Sequence, residues 1–202
     1  MAAPFEIIAA PFEVWVSPVG TAFPLIDVAP ASTWTRLGAN GAYNYASEGI
    51  TVTHEQTVNA WRGLKGTGPI KAFRTEEGLM LGFTLHDLRL EQYAYAINRS
   101  ILDVADTAPG SGVAGFRTLK LHQGPNMKFL ALLCRGKSPY DDDNWNMQYE
   151  VPKVFQSANP TPVHRKGEPA GLALVFTAME DLNAATEDDR FGVLRAQDAA
   201  PL

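Results

Sequence analysis

The sequence has a single cysteine, only 19% charged residues and no block of basic residues. Because Cys134 stands alone, the chain cannot form an internal disulfide, and its place in the apolar run FLALLC predicts a buried side chain. The net charge is −5, and Lys and Arg are not clustered. This charge pattern argues against tight electrostatic binding to nucleic acid, which needs grouped cations to neutralise phosphates.

Long apolar runs are also absent, since none approaches the roughly 18 residues that a membrane helix needs. The N-terminal stretch MAAPFEIIAAPFEVWV has no Lys or Arg before Arg36 and carries Glu6 and Glu13. It therefore lacks the basic region and the unbroken apolar core of a signal peptide. We expect a protein that is made and first folds in a cytoplasm and that has no membrane partner.

What the sequence does contain points to one mainly β domain. Hydrophobic residues make up 46%, which suits a filled core, and 14 prolines with 17 glycines indicate many turns. We predict a single domain over residues 1–202, with an N-terminal arm at 1–10 and a C-terminal tail at 183–202. The segment AAPFE occurs at residues 2–6 and again at 9–13, but two copies do not make a repeat protein.

Alternation of apolar and polar residues predicts about eight strands. One helix is predicted at residues 88–101, with Asp87 as N-cap and an apolar stripe that includes Leu90 and Ile97. We therefore predict a β-sandwich or barrel of about eight strands with one flanking α-helix and a long hairpin arm. The predicted strands are 12–20, 23–30, 50–61, 72–86, 116–122, 128–135, 145–155 and 171–180, with a possible short strand at 191–194.

The stretch TVNAWRGLKGTGPIKAFRTEE, residues 57–77, joins the two longest predicted strands. Strict alternation places Phe73 on the same face as Leu79, and the strand ends nearest the loop are polar on both faces. Such ends do not suit a strand that rests on a core. They suit an arm that packs on a neighbour.

Several motifs have a chemical pattern in part, and none predicts an active site. GSGVAG (110–115) matches GxGxxG but follows a helix and opens a strand, whereas a dinucleotide fingerprint does the reverse. The run Asp141–Asp142–Asp143–Asn144 lacks the glycine and the final acid of a calcium loop and is typical of a solvated turn. The four histidines have no metal-ligand spacing, and a buried cysteine is a poor nucleophile. We expect no enzyme activity, no cofactor and no metal.

The order of elements resembles a known family. TWTRLG, with its Trp–x–x–Leu–Gly element, is followed by SEGITVTHEQTVNAWRGLKGTGPIKAFRTEEGLMLGFTLHDLRLEQYAYAIN, with a weaker echo in VFQSANPTPVHRKGEPAGLALVFTAMED. Over residues 34–98 the sequence resembles the major tail tube proteins of long-tailed (siphovirus-type) bacteriophages. The doubled AAPFE and the Ala/Gly-rich loop at 103–115 are not features of that pattern.

The resemblance implies a structural virion protein of the phage tail, assembled in the host cytoplasm. Subunits would form hexameric rings that stack into a hollow tube around a tape measure protein, between tail terminator and distal tail proteins. Double-stranded DNA would pass through the lumen without sequence-specific binding. The loop at residues 61–70, here named the arm loop, would contact a neighbouring subunit or ring, and its glycines would let it become ordered on assembly. The implied arm residues are Trp61, Arg62, Gly63, Leu64, Lys65, Gly66, Thr67 and Gly68.

Glu55, Glu76 and Glu77 are candidates for lumen-lining acids, which would keep DNA from adhering. The alternative is that they pair with Arg62, Lys71 or Arg74, across the hairpin or between subunits. Three other functions stay open at this point. The first is another tail component, namely a tail terminator, a distal tail ring or a contractile-tail inner tube. The second is a non-viral β-sandwich binding module, for instance for carbohydrate, and the third is an enzyme whose site is assembled from distant residues.

Overall fold

The structure is a computed structural model that describes residues 11–137 and 145–197. The predicted N-terminal arm, the last five residues of the predicted tail and the acidic run at 141–144 lie outside those residues. Strands make up 43% and helices 8%, so the prediction of a mainly β protein is confirmed. The elements are β1 (Phe12–Pro18), β2 (Thr35–Arg36), β3 (Thr51–Trp61), β4 (Lys71–Leu85), α1 (Leu90–Ala96), β5 (Val104–Thr107), β6 (Phe116–Leu119), β7 (Leu130–Lys137), β8 (Asn146–Gln156), β9 (Leu172–Ala178) and β10 (Val193–Ala196), with 3-10 turns at Gly41–Asn44 and Ile101–Asp103.

Eight of these strands form one antiparallel sheet. Seven follow the order β2-β1-β7-β8-β9-β4-β3, and β10 pairs with β8. β5 and β6 form a separate two-stranded sheet. The order shows that β4 is joined to the rest of the sheet through β9, which comes near the end of the chain, while β3 is an edge strand that pairs with β4 alone.

The large sheet curves around its main hydrophobic core, while Trp34, Ala131 and Leu133 form a second, smaller cluster. Residues 35–46 cross between β1 and β4. Tyr45 contacts both ends: its hydroxyl accepts a hydrogen bond from Val14 N of β1 (3.0 Å), and its ring lies edge-on to Phe83 of β4 (centroids 5.4 Å apart). The backbone also bonds at both ends, with Leu37 N donating to Val14 O (2.8 Å) and Ala46 N to Thr84 O (2.9 Å). Since β7, β8 and β9 separate β1 from β4 in the sheet, one side chain can contact both only if the sheet is strongly curved.

The helix is shorter than predicted. α1 begins at Leu90, and Asp87 is not its cap, because the Asp87 carboxylate accepts from Ala39 N (2.9 Å) and pairs with Arg89 (3.3 Å). The helix ends at Ala96, and Asn98 follows with a left-handed φ of 56°. The Asn98 amide then bonds twice to the backbone of Gln156 in β8, at 2.7 and 3.0 Å. Ile101, which was predicted to end the helix, starts a 3-10 turn instead.

The predicted strand at 23–30 is wrong. This segment has no strand pairing, and its carbonyls accept from side chains: those of Leu25 and Val28 from Arg135, and that of Pro24 from Gln148. The predicted loop at 103–115 contains β5, which was also missed. GSGVAG connects β5 to β6 and opens no helix, as its context predicts.

Candidate functional site

The outer half of the β3–β4 hairpin extends beyond the rest of the sheet. β9 pairs with β4 only from Met80 to Leu85, so over residues 53–79, here named the ribbon, the two strands pair only with each other. All β3 residues from Thr53 onward and all β4 residues before Gly78 are exposed. The ribbon is therefore a two-stranded sheet with two solvent-facing sides and two free edges, which natural sheets normally shorten, cover or pair.

A β-bulge decides which side chains share a face of the ribbon. Thr57 lies opposite Glu76 and Val58 lies opposite Arg74, so no β3 residue lies opposite Thr75. The alternation of side chains along β4 therefore shifts by one residue at this point. The prediction that Phe73 shares a face with Leu79 is therefore wrong. Phe73 lies opposite Asn59, on the face that continues to the outside of the sheet.

The inner face of the ribbon, which continues into the core side of the sheet, satisfies its own charges. Arg74 contacts Glu77 at 3.0 Å and donates to the Gln56 side chain at 3.2 Å. The sequence left open whether Glu77 lines a lumen or pairs with Arg74, and in this structure it pairs with Arg74. As an exposed pair three residues apart, it contributes only a few tenths of a kcal/mol, roughly.

The outer face of the ribbon carries the other two predicted acids near the sheet and a lysine at its outer end. Nearest the sheet, Glu55 lies opposite Gly78, and Glu76 accepts from the Thr57 hydroxyl (2.9 Å). Farther out come Phe73 and then the pair of Trp61 with Lys71, the two aromatic rings being 50% and 59% exposed. Glu76 and Glu77, adjacent in sequence, thus lie on opposite faces, as predicted.

The arm loop is held by few contacts. Ile70 N donates to Trp61 O (2.8 Å), and Gly66 N donates to Gly63 O (3.3 Å). A Cβ at Gly63 would lie 2.9 Å from Ile70, whereas Gly66 has no neighbouring atom within 4 Å. Leu64 is fully exposed at the tip. The loop has an ordered closure at its base and no packing at its tip, and ordering on assembly stays a prediction.

Sequence reasoning missed a buried polar network on the outer side of β7 and β8. Arg135 donates to Gln148 (2.7 Å), Gln148 donates to Glu150, and Glu150 pairs with Arg195 of β10 (2.9 Å). Burial lowers the pKa of Arg135, while the nearby carboxylates of Glu150 and Asp27 act in the opposite direction. The alternation of Gln148 and Glu150 with apolar residues was the available signal, but it is equally typical of a solvated face. The network fixes the segment at 24–28 on the sheet.

The remaining chemical candidates are not brought together. Cys134 is fully buried, and burial raises the pKa of its thiol. In the described part of the chain, no three His, Cys, Asp or Glu side chains form a possible metal site. No helix within the same residues is long and apolar enough to cross a membrane.

Comparison with known proteins adds no family. No protein-family model matches the sequence, and no curated protein matches it. The functional argument therefore depends on the residues and the geometry, and in particular on the ribbon.

Proposed function

We propose that this chain is a structural virion protein, a major tail tube protein of a long-tailed bacteriophage. The observation that carries the proposal is the ribbon, an eleven-residue edge strand with its partner extending beyond the sheet, with exposed aromatic rings at its outer end. A free edge of this length is a template for strand pairing. In the proposed tube, pairing between neighbouring subunits removes that edge.

The sequence pattern at residues 34–98 supplies the rest of the proposal. Subunits form hexameric rings, rings stack around a tape measure protein, and DNA crosses the lumen. The curved sheet and the flanking helix are compatible with such a subunit. The net charge of −5 supports a conduit, because an acidic wall repels phosphates.

The arm loop is the element whose removal tests the proposal. Deleting residues 64–68 removes five exposed residues outside both strands, so the monomer is expected to fold. Deleting residues 110–114, an exposed glycine-containing turn between β5 and β6, is the matched control. Negative-stain electron microscopy of concentrated protein should show hollow tubes for the wild type and the control, and none for the 64–68 deletion. Wild-type-like tubes from that deletion would refute the role of the arm loop.

The same micrographs separate the alternatives. Single rings that never stack favour a tail terminator or a distal tail ring. A carbohydrate-binding module is the second candidate, because Trp61 and Phe73 line one hollow of about 390 Å³ on the outer face. A persistent monomer that binds polysaccharide through this pair, and loses binding on Trp61→Ala, would support that candidate over the tube.

A further inference from the structure

We infer that the ribbon binds the ribbon of a second copy of this chain. The basic outer end of one ribbon, residues 61–71 and here named the tip, lies on the acidic part of the other ribbon nearest the sheet, which carries Glu55 and Glu76 and is here named the base. This inference rests on the proposed function and names the partner surface of the arm loop. The partner is a second copy because the tip cannot reach the base of its own chain. Lys71 and Glu76 lie on one strand, five residues and so about 17 Å apart, and a strand cannot fold back onto itself.

Charge segregation along the outer face is the first observation. The tip, from Trp61 to Lys71, carries Arg62, Lys65 and Lys71 and no acid. The base carries Glu55 and Glu76. Within residues 11–137 and 145–197, none of these five charged groups has an ion-pair partner, whereas Arg74 and Glu77 on the inner face are paired within the chain. Lys71 shares the outer face with both acids, while Arg62 and Lys65 lie in the arm loop beyond it. Unpaired charges of opposite sign at the two ends of the ribbon are complementary to a second copy of the ribbon.

Gly78, opposite Glu55 at the base, is the second and independent observation. Its φ is not in the left-handed region, and a Cβ built there meets nothing closer than Glu55 Cβ at 3.5 Å, so the fold of the single chain does not require glycine. Glycine inside a strand costs about 0.5–1 kcal/mol relative to alanine and often marks a bulge, a tight bend or the close approach of another backbone. Gly78 borders an open hollow on the ribbon that Glu55, Gln56, Thr57, Glu76 and Glu77 also line. We assign this hollow to the arm loop of the partner.

The aromatic rings explain why the contact does not depend on charge alone. Phe73 lies between the acidic base and the basic tip, and Trp61 lies opposite Lys71 in the tip, so tip-on-base docking lays both rings against the partner's ribbon. Apolar burial then supplies affinity, while the charges set register and direction.

The test exchanges charges between two full-length variants. The tip variant is Lys65→Glu/Lys71→Glu, so its tip and base are both acidic. The base variant is Glu55→Lys/Glu76→Lys, so its tip and base are both basic. Each alone should assemble only at concentrations on the order of tenfold above wild type or higher, since a tenfold change corresponds to about 1.4 kcal/mol. Mixed in equal amounts they should assemble like wild type, because every tip then finds a base of opposite charge.

Two further variants separate the charge pattern of the ribbon from net charge and from shape. Glu168→Lys/Asp188→Lys changes net charge as the base variant does, at exposed sites outside the ribbon, and should assemble like wild type. Gly78→Val adds bulk beside the Glu55 side chain and leaves the number and sign of the charges unchanged. It should unfold no more easily than wild type yet assemble poorly.

Sedimentation velocity across concentration, with electron microscopy of the same samples, gives the outcomes. Loss of assembly in each variant and its return in the mixture support the inference. If each charge variant alone forms tubes as readily as the wild type, the inference is overturned, while the proposed tail tube function is unaffected. A closed dimer with the same charge dependence supports the inference and overturns the tube. A wild type that stays monomeric throughout overturns both.

Discussion

Replacing Tyr45 with Phe tests whether residues 35–46 close the curved sheet. The hydroxyl of Tyr45 donates to Leu37 O (2.8 Å) and accepts from Val14 N (3.0 Å), and the residue is 9% exposed. Tyr45→Phe keeps the ring against Phe83 but leaves two backbone groups without this partner. An unsatisfied buried group costs about 1–3 kcal/mol. Because Phe also avoids the desolvation cost of burying the Tyr45 hydroxyl, which offsets part of the cost of two unsatisfied groups, we expect a loss of about 2–4 kcal/mol in the free energy of unfolding.

The assay is urea unfolding followed by tryptophan fluorescence, at a protein concentration where the chain is monomeric. Tyr43→Phe is the matched control, since Tyr43 is 94% exposed and should change stability by less than about 0.5 kcal/mol. The urea m-value should be unchanged, because the same surface is exposed on unfolding. For a domain of this size the loss corresponds to a melting temperature lower by roughly 4–16 °C. If the two variants are equally stable, the bridging role of Tyr45 is refuted.

Three further predictions concern single side chains, each measured by the same unfolding assay. Asn98→Ala should lower the free energy of unfolding by about 2–3 kcal/mol, because it removes two hydrogen bonds and places alanine in a left-handed backbone conformation. Asn98→Gly should lower it less, because glycine adopts that conformation readily. Equal losses would show that the left-handed conformation does not contribute. Gly136→Ala places a Cβ 2.6 Å from the Phe12 ring and should cost about 1–3 kcal/mol, partly recovered by adding Phe12→Leu. A hydrogen bond from its own backbone amide and contact with Arg117 lower the pKa of Glu91 below its ordinary 4.5, so its stabilisation is present above pH 4.5 and is lost as pH falls through the lower folded pKa. Glu91→Gln should therefore flatten the acid limb of stability against pH, and an unchanged limb would contradict this.

The strands of the core were predictable because apolar alternation reports burial on one face of a sheet. β4 and β9 agree with their predicted ranges to within a few residues, since Leu81, Leu172 and Leu174 all face the core. The same pattern fails to predict strands where backbone groups bond to polar side chains instead of to a neighbouring strand. Residues 23–30 form a short apolar run that looks like a strand, but their carbonyls bond to Arg135 and Gln148, and one sequence gives no sign of such a distant contact.

The ribbon shows a second limit. The sequence predicted an arm from polarity on both faces, and the exposure of the ribbon agrees with it. It could not predict that an unpaired Thr75 moves Phe73 to the face of Trp61, because a bulge depends on how two strands register and not on either strand alone. The sequence did predict that Glu76 and Glu77 lie on opposite faces, because they are adjacent in a strand. The pairing of Glu77 with Arg74 depends on the bulge.

Strand order also constrains when the ribbon can be attached during synthesis. The β3–β4 hairpin is local and can form as soon as Leu85 has left the ribosome, yet Leu85 of β4 pairs with Leu172 of β9, which is made much later. Non-local pairing of this kind is slow and comes late in folding. A nascent chain therefore presents a hairpin without a sheet behind it until β9 has been made. Only then does the ribbon have a rigid base, which delays self-association through the ribbon until that point in synthesis.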